Sequence, residues 1–103
     1  MAKLKEFNRL VAWLKTYAKD YNWDVVVIQD DKKPFDTNRV EVWRDRTRLF
    51  DAICQRGSYG YEEGLLETMG TIVDVATLGD TVEGHLSASD VISRIEDVYG
   101  RLF

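Results

Sequence analysis

A chain of 103 residues, 45% hydrophobic with three Trp, five Tyr and four Phe, can close one core but not two, and so many aromatics exclude a disordered chain. Its single cysteine excludes an internal disulfide and a Cys-rich zinc site, and fits a reducing, cytoplasmic setting. The net charge of −4 conceals a split, since residues 1–56 carry 12 Lys or Arg against 9 acids (+3) and residues 57–103 carry 2 against 9 (−7).

The opening Met-Ala-Lys-Leu-Lys-Glu has no apolar stretch behind its charges, and no run of about 18 apolar residues follows anywhere, so neither a secretory signal nor a membrane span is expected. Leu4, Phe7, Leu10, Val11, Leu14, Tyr17, Ala18 and Tyr21 recur at steps of three and four. That spacing predicts an amphipathic helix over residues 3–21 whose apolar stripe faces the core. Trp23-Asp24-Val25-Val26-Val27-Ile28 is short and β-branched on both sides of the pleat, which predicts an inner strand covered on both faces. Residues 30–38, with the only proline at Pro34, read as a connecting loop.

From Arg39 to Arg44 the alternation is clean, with Val40 and Val42 on one side and Arg39, Glu41 and Trp43 on the other. Asp45-Arg46-Thr47 then forms a turn. In residues 48–55, Leu49, Phe50, Ile53 and Cys54 would also line one side of a helix, but sequence neighbours usually pair, and a third antiparallel strand is favoured.

Gly57-Ser58-Tyr59-Gly60 is turn chemistry. A short helix is expected behind it, with Glu62 and Glu63 at its positive end, Leu65, Leu66 and Met69 inward and Gly70 as a left-handed cap. Residues 71–86 keep no period and contain Gly79 and Gly84, so they read as loop with room for one short strand. Ser87-Ala88-Ser89-Asp90 resembles a capping box with Asp in place of Glu, bracketed by Leu86 and Val91 as a staple. It opens a last helix that turns Val91, Ile92, Ile95, Val98, Tyr99 and Leu102 inward. The expected architecture is one α+β domain over residues 1–103: an N-terminal amphipathic helix, an antiparallel sheet of two or three strands, and two C-terminal helices.

No constellation supplies a nucleophile, a base and an orienting group together, so an enzyme is not expected and no cofactor is implied. His85 is the only histidine, Cys54 has no CxxC partner and reads as a small core hydrophobe, and no phosphate-cradling glycine motif occurs. Asp24, Asp30, Asp31 and Asp36 do not match the calcium loop and read as solvated. Two polar surfaces remain. Arg44, Arg46 and Arg48 with Trp43 place cations beside an aromatic, as single-stranded nucleic-acid sites do. Glu62, Glu63, Glu67, Asp80 and Glu83 belong to the −7 half and would complement a basic groove on a partner protein. The overall acidity favours the second.

Gly57-Ser58-Tyr59-Gly60-Tyr61-Glu62-Glu63-Gly64-Leu65-Leu66-Glu67 and Val82-Glu83-Gly84-His85-Leu86-Ser87-Ala88-Ser89-Asp90-Val91, about a fifth of the chain, resemble small phage and prophage proteins of Gram-positive bacteria. The resemblance implies an accessory protein of a mobile element, working in the host cytoplasm. That class includes short acidic inhibitors of host enzymes such as anti-CRISPR proteins. The competing expectations are a nucleic-acid-binding module and a phage structural or assembly subunit completed by self-association.

Overall fold

A computed structural model describes residues 4–32, 36–73 and 82–102. Helix α1 (Lys5–Tyr21) follows the apolar stripe and buries Phe7, Leu10, Leu14 and Tyr21. It stops at Asn22, whose left-handed backbone (φ 61°, ψ 48°) turns its N–H back onto the Ala18 and Lys19 carbonyls. The reversed chain stacks Trp23 on Tyr21 with ring centroids 4.3 Å apart, and the indole packs nearly perpendicular to the rings of Phe50 and Tyr99.

Five strands follow: β1 (Asp24–Asp30), β2 (Thr37–Arg44), β3 (Thr47–Ile53), β4 (Leu66–Gly70) and β5 (Val82–Leu86). They form one antiparallel meander in the order β1-β2-β3-β4-β5. Asp45 and Arg46 make the β2–β3 turn with φ of 49° and 68°, the pair of positive values a tight two-residue hairpin needs. A register shift at Val42/Trp43 bends this hairpin. Helix α2 (Ala88–Tyr99) begins with a reciprocal capping box, in which the Asp90 N–H donates to Ser87 Oγ at 3.1 Å and the Ser87 N–H donates to Asp90 Oδ2 at 3.0 Å. Glu6 Oε1 accepts the Ala88 N–H at 2.9 Å, joining the starts of the two helices. Phe7, Leu10 and Leu14 of α1 and Val91 and Ile95 of α2 close over Val40, Val42, Phe50, Ala52 and Leu66 as one buried cluster, with Cys54 inside it. Both helices therefore cover the same side of the sheet.

The α+β class, the first helix, the third strand and the capped last helix match the sequence reading; several details do not. The helix expected from Glu62 to Met69 is a 3-10 turn at Tyr61–Glu63 followed by β4. Gly60 and Gly64 hold positive φ on either side of that turn, so no helical run extends through it, and Leu66 and Thr68 then alternate inward as in a strand. Gly70 ends β4 opposite Phe50 and caps no helix. The sheet has five strands where two or three were expected, because β4 replaces the expected helix and β5 is a short strand in the stretch read as loop with room for one, and among the described residues one helix, α2, follows it. The strand expected to be inner is the edge strand β1, with Val26 and Ile28 exposed. Residues 74–81, and with them the candidate Asp80, lie outside the described residues.

Candidate interaction surface

Because strand side chains alternate, burying Val40 and Val42 under the helices sends Arg39, Glu41 and Trp43 to the opposite face. The ladder register extends this open face across the sheet in rows. One row runs Ile28, Arg39, Ile53, Glu67; the next runs Val26, Glu41, Asp51, Met69, Val82; and Asp24, Trp43 and Arg48 form a third. Helices α1 and α2 both lie on the far side.

Glu41 is the hub of this face although its side chain is only 11% exposed. Its Oε1 accepts the Trp43 indole N–H at 3.2 Å, while Oε2 lies 3.5 Å from Arg39 Nη1 and 3.4 Å from Arg48 Nη1. Arg48 also approaches Asp51 Oδ2 at 3.9 Å. Burial pushes the Asp51 carboxyl above its ordinary value; Arg39 and Arg48 oppose that rise, and Glu41 and Glu67 add to it. The two arginines are thus neutralised within the molecule. On either side of this ion cluster Val26 (43%) and Ile28 (40%) of β1 and Met69 (41%) of β4 stand exposed.

The four basic-surface residues do not share one surface. Trp43 and Arg48 are on the open face. Arg44 points to the helix side and donates from Nη2 to the Tyr21 carbonyl at 2.6 Å, securing the end of α1, and Arg46 is exposed in the hairpin turn. The acidic residues divide too. Glu62 and Glu63 are exposed on the 3-10 turn, at the same end of the sheet as Glu67, whose Oε1 accepts the Tyr59 N–H at 3.0 Å. Tyr61 ties this turn to the start of β2 by donating to Asp36 Oδ2 at 2.8 Å, and Asp30 pairs with Thr37 at that same end. Glu83 instead faces α2 and is held by Arg94 at 2.6 Å.

Val26, Ile28 and Met69 were missed in the sequence because Val26 and Ile28 read as buried strand and Met69 as the inner side of a helix. Knowing that β1 lies at an edge would have exposed the first two.

Among the described residues no group of three His, Cys, Asp or Glu is placed to hold a metal ion, and none of the helices is long and apolar enough to cross a membrane. His85 sits exposed in β5 at φ 59°. A depression of about 280 Å³ beside α2 is lined by Ile72, Val73, Arg94, Asp97 and Val98, and its one cation is already engaged by Glu83. No family model matches the chain, and no curated protein or solved structure matches it either.

Proposed function

We propose that the protein acts by binding another protein, through the open sheet face and the carboxylates at one of its ends, and not by catalysis. The observation that carries this reading is the open face itself, where exposed Val26, Ile28 and Met69 flank cations that Glu41 and Asp51 already neutralise. A phosphate backbone needs cations free to release its counterions, and Arg39, Arg44 and Arg48 are engaged within the fold. Glu62 and Glu63 carry no such commitment among the described contacts and add acidic charge at one end of the face. A partner with a basic border suits that charge. This supports an inhibitor that occupies a basic groove on a host protein, the role implied by the resemblance to phage and prophage proteins and of which anti-CRISPR proteins are one form.

The test is capture of partners from a bacterial lysate by the tagged protein, with and without nuclease, compared with Val26→Asp/Met69→Asp and Glu62→Lys/Glu63→Lys variants whose folding is checked by circular dichroism. A protein retained after nuclease by the wild type and lost by both variants supports the reading. Bound material that disappears with nuclease, or a partner retained equally by both variants, overturns it.

A further inference from the structure

If the protein is a binding module, as proposed above, a partner's backbone needs a place to engage, and the edge of the sheet supplies one. Strand β1 has seven residues and pairs with β2 at every one of them, without a bulge. Its other edge is free among the described residues, since β1 is terminal in the sheet order. Edge strands are ordinarily blunted by proline, by bulges or by inward-pointing charges; β1 has none of these between its ends.

Its burial is incomplete on both sides of the sheet. Val25, Val26, Val27 and Ile28 are four successive β-branched residues, and none of them is buried, whereas Val40, Val42 and Ala52 of the inner strands are at most 1% exposed. Val25 and Val27 face the helix layer and pack against the core without being fully buried, and Val26 and Ile28 stand on the open face. One added strand would cover both rows together.

The charges select the added strand. Asp24 and Asp30 bracket Val26 and Ile28 along the open-face row, and Asp30 keeps its carboxylate in place by accepting the Lys32 N–H at 2.9 Å. A second copy pairing through a two-fold at Val27 would set Asp24 against Asp30 twice, and like charges directly opposed destabilise a ladder. A strand whose residues on the open face run basic, apolar, apolar, basic meets each carboxylate with a cation and each apolar side chain with another.

We infer that the free edge of β1 accepts an extended segment of a partner protein by strand addition, and that Asp24 and Asp30 select a segment whose two apolar residues lie between Lys or Arg.

The probe is the capped peptide Lys-Thr-Val-Thr-Val-Thr-Lys, with the same peptide carrying Glu at both ends as its counterpart. Titration into the full-length protein is followed by amide NMR and hydrogen exchange. The basic peptide should protect amides of residues 24–30 and bind more tightly than the acidic one. Asp24→Asn/Asp30→Asn should weaken it about tenfold, the effect of two cross-strand charge pairs. N-methylating alternate peptide amides separates strand addition from simple charge attraction without altering the protein, because one alternate set should abolish binding and the other leave it intact. No binding of the basic peptide, equal binding of both peptides, protection outside β1, or equal tolerance of both methylation sets would each overturn the inference. If the lysate partner is still captured through Val26 and Met69 while the peptide fails, the edge proposal falls and the binding-module reading stands.

Discussion

Two glycines of positive φ separate the cost of backbone conformation from the cost of contact. Gly57 has φ +92° and nothing within 4 Å of the place a Cβ would occupy. Gly70 has φ +111°, and there a Cβ would come to 2.5 Å from the Leu49 carbonyl oxygen and 2.7 Å from the Phe50 Cα. A residue with a Cβ costs about 1–2 kcal/mol in the left-handed region, and the lower entropy of the unfolded alanine chain offsets about 0.4–1 kcal/mol of that. Gly57→Ala should therefore lose about 1 kcal/mol. At Gly70 the atoms in the way are backbone, so β3 and β4 must part where Gly70 opposes Phe50, and the adjacent Thr71 N–H bond to Leu49 O at 3.0 Å goes with them. A lost hydrogen bond of about 1 kcal/mol and the displaced packing bring Gly70→Ala to about 3 kcal/mol. In a domain of about 100 residues each kcal/mol moves Tm by about 4–8 °C, so thermal melts followed by circular dichroism should show Gly57→Ala lower by about 5 °C and Gly70→Ala by about 15 °C. Equal losses would refute this reasoning, because they would mean that the β3–β4 contact yields without cost.

Ser87→Ala removes the oxygen that accepts the Asp90 N–H and should cost about 1 kcal/mol, seen as a lower urea midpoint at unchanged m-value, with Ser87→Asp retaining most of the stability. Asp51 titrates above its ordinary value of 3.8 because it is buried, so its contribution to stability is fully present below that value and is lost as pH rises through the folded-state value. Asp51→Asn should accordingly melt above the wild type at pH 7, with the gap closing toward pH 3; a gap that is absent at pH 7 or widens on acidification would contradict the cause given for the shift.

Elements whose signal is local were legible in the sequence. The stripe from Phe7 to Tyr21 and the Ser87–Asp90 box each specify their own helix, and Val40 and Val42 alternate cleanly enough to define both faces of β2. What misled was glycine-punctuated sequence. Glu62-Glu63-Gly64-Leu65-Leu66 has acids where a helix start wants them, yet Gly60 and Gly64 adopt positive φ and the chain straightens into a strand. The sheet order was not legible, because Val25 to Ile28 have the composition of a covered strand and only the meander makes β1 terminal. The candidate cations suffered similarly: Arg44 and Arg48 are close in sequence, but a strand and a turn send one to the Tyr21 carbonyl and the other to Glu41.

The position of β1 also joins two requirements that usually oppose each other. A β-branched edge invites pairing with any exposed strand, including its own copy, and when two copies pair in full register about Val27 the carboxylates at the ends of that edge oppose one another. The same two carboxylates leave a strand with basic ends as the favoured addition. Protection against self-association and choice of partner would then rest on the same two side chains. Asp24→Lys/Asp30→Lys should therefore turn the preference from basic to acidic peptides without creating a homodimer, as the lysines introduced at both ends of β1 would still repel those of a second copy. Peptide titration and sedimentation of the variant check the two halves of this expectation, and a variant that dimerises, or that keeps its preference for the basic peptide, would show that the end charges do not govern pairing at this edge.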